Sequence, residues 1–397
     1  MTKSRSYIKS HPWITFELDL NRASPRLWLL LGEAASKCDH IAGVPLSPPV
    51  AHDLHLVYLT KGVRGTTAIE GNTLSEEQVR QRIEGGSKLP PSQEYLGKEI
   101  DNIVEGCNKI TGQFANRGDV SLTMESICEY NRLVLNGLPL AEGVIPGQIR
   151  AYSVGVFNYR GAPPEDCEFL LRRLCEWLNT GFQAPTFEKR KIYGILKAVL
   201  AHLYLAWIHP FGDGNGRTAR LVEFQILLSV GVPTPAAHLL SNHYNTTRTE
   251  YYRHLDMSSK KENGVMLFVE YALQGFVDQL KAQLELIRSH QLDVHWINYI
   301  HECFRDNDTV TGRRQRHLVL DLTDKGEVVT LPQLLTISPR MAEHYRGKTL
   351  RTVKRDVNSL VDMGLVTMFS GRIFVEKGQM AAFLPFVVEQ LRPPKFE

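Results

Sequence analysis

Within the twelve residues His209 to Arg220 (HPFGDGNGRTAR) the sequence gathers an imidazole, a carboxylate, two guanidiniums and three glycines. An apolar run ends at Ile208, and another, LVEFQILLSV, follows. Pro210 and the glycines force a loop between two helices. Gly214-Asn215-Gly216 lets successive backbone N–H groups converge, a nest for an anion. The next helix is expected to begin near Gly216 or Arg217, and its N-terminus adds free donors and the positive end of the dipole. Arg217 and Arg220, three apart, lie on one side of the first turn. Two guanidiniums beside an anion nest suit a polyphosphate better than a single carboxylate. Asp213 is the kind of hard ligand that holds Mg²⁺ on phosphates, and it is equally able to cap the helix. His209 is the one group in the run that accepts a proton near neutral pH. These are the parts of a nucleotidyl or phosphoryl transfer site, where the protein supplies position and charge.

The elements that must position this loop are mostly helices. Amphipathic stretches run near 26–37, 51–69, 75–85, 93–115, 122–135, 165–180, 187–208, 216–230, 248–258 and 264–290. Residues 149–159 (IRAYSVGVFNY) follow Pro146-Gly147 and are rich in Val, Tyr and Phe, which predicts a strand or hairpin. Residues 91–93, 161–164 and 231–235 read as loops. The chain of 397 residues holds two or three domains at about 100–200 residues each. Its 43% hydrophobic and 22% charged residues exclude a disordered chain. Its net charge of +3 is too small to imply a polyanion partner for the whole molecule. Six cysteines without a C-x-x-C pair argue against common zinc and thioredoxin spacings and point to reduced thiols in a cytosol. No apolar stretch reaches the roughly 18 residues of a membrane helix, because Lys197 and His202 interrupt Gly194 to Ile208. The N-terminus lacks the apolar segment of a signal peptide. A cytoplasmic protein without a membrane partner is therefore expected.

HPFGDGNGRTAR resembles the signature of Fic-domain proteins, H-P-F-x-[D/E]-G-N-G-R-x-x-R, with every fixed position matched. The resemblance implies transfer of AMP from ATP to a Ser, Thr or Tyr hydroxyl of a target protein, or of the chain itself. It implies His209 as the catalytic base, Asp213 as the Mg²⁺ ligand, and Asn215 with the nest of Gly214 and Gly216 on the α-phosphate. Arg217 and Arg220 would then bind the β- and γ-phosphates, with Thr218 in the same nucleotide site and Phe211 anchoring the loop in the core. Residues 149–159 match the family's flap, whose edge would pair with a target's backbone. Val154, Gly155, Val156 and Phe157 are the candidates for contact there. GAPPEDCEFLLRRLCEWL also looks Fic-like. NTTRTEYYRHL resembles the helix that closes the nucleoside pocket and puts Tyr252 near the base, a place it shares with the alternative of a core tyrosine.

A second segment, TTAIEGN at Thr66 to Asn72, resembles the family's inhibitory motif [S/T]-x-x-x-E-[G/N], with Thr66, Glu70 and Gly71 on the fixed positions. The resemblance implies that Glu70 pairs with Arg220 and removes the partner of the γ-phosphate. In some relatives of this kind the same glutamate helps to remove AMP, so deAMPylation stands beside transfer. Glu70-Gly71 could also simply end one helix before the next, whose Ser75 and Gln78 suit a capping box.

From Val310 to Glu397, 14 Lys+Arg against 9 Asp+Glu give an excess of +5. A short helix at 331–335, a basic helix at 349–363 and strands at 365–369 and 372–375 around Ser370-Gly371 resemble a winged helix. Lys348, Arg351, Lys354 and Arg355 are expected on its exposed face, and Val353, Val357 and Leu360 inside. The expected architecture is mainly α: an N-terminal helical region with the inhibitory motif (1–115), an all-helical Fic core with a β-hairpin flap (116–262), a helical connector (263–308) and a winged helix-turn-helix domain (309–397). Expected partners are ATP with Mg²⁺ and a target protein, with DNA through 348–375 and a second copy of the chain as further candidates. The alternatives are Fic-type transfer of UMP, phosphocholine or phosphate, and a DNA-binding regulator that senses nucleotide.

Overall fold

The computed structural model describes residues 5–85, 89–117, 121–156, 159–181, 183–186 and 189–381. The chain divides into two compact units, Met1–Leu284 and Glu285–Glu397, where four segments are expected from the sequence.

In the first unit the helices start where small polar residues can cap them. Ser24 accepts from the Leu27 N–H ahead of Pro25–Gly43, and Ser75 with Gln78 forms the expected capping box ahead of Glu76–Ile83. Thr123 and Ser126 do the same for Met124–Val134. The centre is the pair Arg190–Ile208 and Asn215–Ser229, which pack on each other. Both are buried on nearly all sides. The first of these is in fact long and apolar enough to cross a membrane, contrary to the expectation above. However, 72% of its apolar window is buried inside the fold, the setting of a core helix.

The helix Pro48–Ala68 packs against Leu239–Thr246 at a distance only glycine permits. A Cβ on Gly65 would lie 2.7 Å from the Ser241 carbonyl oxygen, and one on Gly62 would lie 2.5 Å from His238 Cβ. This contact fixes the end of Pro48–Ala68, and with it the turn that carries Glu70. Leu239–Thr246 and the short Thr234–Ala237 helix, which starts inside the supposed 231–235 loop, are not legible in the sequence. His238 and His243 read as polar, yet burial pushes their imidazoles down to about 3 and about 4, so they pack as neutral rings. Residues 91–93 form a single 3₁₀ turn, Pro91–Gln93, instead of open loop.

The expected hairpin is shorter than 149–159. Gly155–Val156 pairs antiparallel with Tyr159–Arg160. Phe157 and the Val156 side chain lie outside the described residues.

In the second unit, the end of Gly264–Cys303 contributes Trp296 and Ile300 to a core shared with Leu318, Val353, Leu360 and Ile373. The supposed connector is thus partly core, because its apolar stripe continues to Ile300. The order after it is helix Val310–Lys325, strand Val329–Thr330, short helices Leu331–Leu334 and Pro339–His344, helix Leu350–Asp362 and strands Val366–Phe369 and Arg372–Val375. Arg372–Val375 is the middle strand, antiparallel to both others. The strand Val329–Thr330 and the helix Pro339–His344 are additions to the expected pattern, too short for periodicity to reveal. Val353, Val357 and Leu360 are buried, and Lys348, Arg351, Lys354 and Arg355 are exposed.

A buried ion pair ties this unit together. Arg314 Nε and Nη2 donate to Asp356 at 2.7 and 3.1 Å, and the Tyr345 hydroxyl adds a third bond at 3.1 Å. Asp356→Ala leaves the Arg314 charge buried without its counter-ion, which costs about 3–5 kcal/mol. Urea titration followed by Trp fluorescence should show the unfolding transition of this unit move to lower denaturant. Asp356→Asn, which keeps part of the hydrogen bonding, should move it less.

Candidate active site

The loop after Ile208 adopts the sharp geometry its composition requires. His209 takes a left-handed backbone, φ 49°, and Gly214 does so at φ 73°. The following helix starts at Asn215, one residue before the expected position. Phe211 is buried and anchors the loop. Asn215 lies inside the loop: its amide accepts from the Phe211 N–H at 2.9 Å and donates to the Phe211 carbonyl at 2.8 Å. Its side chain therefore braces the loop from within. Thr218 is likewise buried, bonded to the Gly214 carbonyl at 2.8 Å, and braces rather than lines the site.

Asn131, which sequence reasoning missed, holds this loop from below. It donates to the Asp213 carbonyl at 2.9 Å and accepts from the Gly147 N–H at 2.9 Å. A buried asparagine in an amphipathic helix gives no signal until its partners are known.

A cavity of about 430 Å³ opens beside the loop, lined by Glu70, Tyr159, His209, Gly216, Tyr251 and Tyr252 among others. Tyr252, the residue expected beside the nucleoside, is among these lining residues. Below the cavity, Tyr251 Oη lies 2.9 Å from His202 Nε2, and Tyr244 donates to Glu223 at 2.9 Å. His202 Nδ1 lies 3.6 Å from Glu223. This buried polar chain fixes the Tyr251 wall. In the sequence His202 was only an interruption in an apolar run.

Burial, and next the charge of Arg150, push the His209 imidazole down to about 4, against the opposing pull of Glu70 and Asp213. The ring is neutral at pH 7 and free to accept a proton.

The two signature arginines are both occupied. Arg217 donates to Glu99 at 2.7 Å and to Asp213 at 3.2 Å. Arg220 donates from Nη2 to the Thr66 carbonyl at 2.8 Å and to Glu70 at 2.6 Å, while its buried Nε and Nη1 have no partner among the described residues. Thr66 therefore acts through its backbone. Glu70 follows the end of Pro48–Ala68, and Gly71 at φ 105° turns the chain away. Two residues on, Asn72 donates to Glu99 at 2.9 Å, so one short turn reaches both arginines.

The Glu70 carboxylate lies close against Gly216 in the first turn of the Asn215–Ser229 helix. A Cβ on Gly216 would fall 2.1 Å from Glu70 Oε1. A larger residue at Gly216 would displace the Glu70 carboxylate from the first turn of the Asn215–Ser229 helix. The 32% exposure of the Glu70 side chain is to the cavity it lines. Burial alone would raise its carboxyl, but the charge and hydrogen bond of Arg220 outweigh this and hold it below the ordinary carboxylate range.

Asp213 is the one sequence-expected metal ligand. Its side chain is half exposed at 50%, and among the described residues no group of three or more His, Cys, Asp or Glu could hold an ion. A single open carboxylate fits Mg²⁺ that takes its other ligands from phosphates and water. On the hairpin, the Val154 carbonyl accepts from the Gly161 N–H, and Val154 and Gly155 are not in the cavity lining.

Residues 121–227 match the Fic/DOC family. The chain carries a Fic domain. Similar relatives include protein adenylyltransferase fic-1 of Caenorhabditis elegans, 31% identical over 194 residues, covering 49% of this chain and 35% of the relative. Protein adenylyltransferase Fic of Nematostella vectensis is 27% identical over 231 residues, covering 58% and 50%. The matches thus span a third to a half of the length of these relatives. Among solved structures, a Fic family protein from Desulfovibrio desulfuricans G20 has a TM-score of 0.53 at 18% identity, covering 89% of this chain and 96% of that one. Residues 134–508 of Fic-1 from C. elegans give a TM-score of 0.53 at 25% identity, covering 66% and 73%. The matched residues hold His209, Gly214 to Gly216, Arg217 and Arg220, while Glu70 and Tyr252 lie outside them and line the same cavity as His209.

Proposed function

We propose that this protein transfers AMP from ATP to a hydroxyl of a protein, and that Glu70 holds it in a low-activity state. The observation that carries the reading is the Glu70 carboxylate held by Arg220 against the first turn of the Asn215–Ser229 helix, a place where an acid side chain could stand in for a phosphate. The relatives named protein adenylyltransferase support AMP as the transferred group. In the reaction, His209 accepts the proton of the target hydroxyl, and that oxygen bonds to the α-phosphorus. The bond from the α-phosphorus to the bridging oxygen breaks, and pyrophosphate leaves. Backbone N–H groups at Gly214–Gly216 meet the charge that builds on the phosphoryl oxygens. Arg217 and Arg220 hold the outer phosphates once freed from their carboxylates. Mg²⁺ on Asp213, when bound, would neutralise the triphosphate. Intact-mass spectrometry after incubation of the wild type, Glu70→Gly and His209→Ala with ATP and Mg²⁺ tests this. An adduct of one AMP, greatest in Glu70→Gly and absent in His209→Ala, is expected. No adduct in any variant, on itself or on proteins of a cell extract, with UTP and CDP-choline tried as donors, would overturn it.

For the second unit we infer a winged-helix module that contacts duplex DNA. Lys348, Arg351, Lys354 and Arg355 are exposed around the start of Leu350–Asp362 and make no ion pair among the described residues, whereas Arg340 and Arg346 are paired. If they meet phosphates, duplex affinity should fall steeply with salt, by a log–log slope of about −0.9 per contact. Lys354→Glu with Arg355→Glu should flatten that slope. Absence of binding at about 50 mM salt would dismiss the inference.

A further inference from the structure

Arg150 is buried at 4% exposure, yet makes no ion pair with a carboxylate among the described residues. Its guanidinium is instead spent on backbone carbonyls. Nε donates to His209 at 2.7 Å, Nη1 to Tyr152 at 2.6 Å and Nη2 to Ala162 at 2.6 Å, with Ile208 at 3.5 Å. Its own N–H donates to the Pro210 carbonyl at 3.0 Å. Gly161 packs beneath: a Cβ there would lie 2.8 Å from His209 Cβ and 2.9 Å from Arg150 Nη2. Burying a cation without a counter-ion is costly unless its donors are satisfied. Here they are satisfied by the carbonyls on either side of one strained residue and by both ends of the hairpin.

We propose that Arg150 is a positioning residue: it holds the His209 backbone in its left-handed turn, aims the imidazole into the cavity, and ties that turn to the hairpin at Tyr152 and Ala162. The proposal rests on the reading of His209 as the base. A guanidinium is needed because its planar fork reaches three carbonyls in different directions, while an ammonium is a point donor. Arg150 lies outside the cavity lining, so nucleotide binding does not depend on it directly. The charged groups that act on the His209 ring are Arg150, Glu70 and Asp213, with the Ala206 carbonyl as hydrogen-bond acceptor. Arg150 is the cation among them, and its removal favours protonation of the ring.

The test places Arg150→Lys and Arg150→Met in the full chain with Glu70→Gly, so that transfer is measurable. Binding of a fluorescent ATP analogue should stay within about threefold of the parent in both, while kcat falls by about ten- to a hundredfold, the scale of a misplaced catalytic group. The acid limb of kcat/KM should move upward in Arg150→Met and stay in place in Arg150→Lys. Unchanged kcat, full recovery by lysine, or a loss of ATP affinity that matches the loss of rate would overturn the proposal. Should the parent transfer nothing, the function reading fails separately. Arg150 is then tested by NMR titration of ring-labelled histidine, with the His209 signal assigned from His209→Ala. A His209 midpoint that rises in Arg150→Met supports the proposal, and an unmoved midpoint rejects it. If the methionine variant does not fold, the lysine variant's kcat and ATP affinity decide.

Discussion

His209→Ala is expected to lower AMP transfer by roughly 10²–10⁴-fold, the usual contribution of a positioned general base. The argument is one of protonation state and place. The imidazole lines the cavity, and burial with the Arg150 charge pushes it down to about 4. A depressed histidine is neutral from alkaline pH down through its ordinary value near 6.5, and is lost as a base only as pH falls toward about 4. The kcat/KM profile of the free enzyme should therefore stay level through pH 6.5, with its acid limb well below. On the proposed reading the phosphate contacts lie elsewhere, on the Gly214–Gly216 backbone, Arg217 and Arg220. KM for ATP should then change little while kcat collapses, the pattern of a group that acts in the transition state. Unchanged kcat with a raised KM would remove His209 from the chemistry and leave it a wall of the cavity.

Much of this site was legible because its chemistry sits in one contiguous run. HPFGDGNGRTAR announces a loop, a nest and two guanidiniums by residue type alone, and TTAIEGN places a carboxylate after a helix. What composition could not show is which of these groups face the cavity. Asn215 and Thr218 are turned inward to brace the loop, a choice set by hydrogen bonds to Phe211 and Gly214 that no spacing rule contains. The supports were invisible for the same reason. Asn131, Arg150, Glu99 and His202 lie up to 118 residues from these partners in sequence but in ordinary helical or loop settings, and only the packing of Met124–Val134, Glu94–Arg117 and Arg190–Ile208 around the loop gives them roles. The fold was read well where amphipathic helices were long. It was read poorly from 231 to 247, where buried neutral histidines disguise core as polar surface, and at 329–330 and 339–344, where elements of two and six residues carry no period.

Glu70→Gly should raise self-modification by about ten- to a hundredfold. The Glu70–Arg220 contact is a charge-assisted hydrogen bond of 2.6 Å, worth about 1.5–3 kcal/mol, and each 1.4 kcal/mol returned to productive ATP binding is a factor of ten. The gain arises at Arg220 and the Gly216 cradle, because the turn itself remains pinned by Asn72 to Leu96 and Glu99. Glu70→Gln separates the two parts of the brake. It fills the same space and can still accept from Arg220, but carries no like charge against phosphate, so an intermediate rate is expected. The sign of the pH response follows from the lowered Glu70 carboxyl. A carboxylate held below its ordinary range stays ionised in mild acid, so the brake persists there, and the stability it lends is lost only as pH falls below that range. Removing it leaves the buried Arg220 charge uncompensated, so Glu70→Gly should melt at a lower temperature without nucleotide and gain more from ATP than the wild type does. Equal ATP stabilisation and equal transfer in both proteins would mean that Glu70 merely ends a helix. A larger ATP shift with faster transfer, abolished by adding His209→Ala, would assign the carboxylate to the seat a phosphate must take.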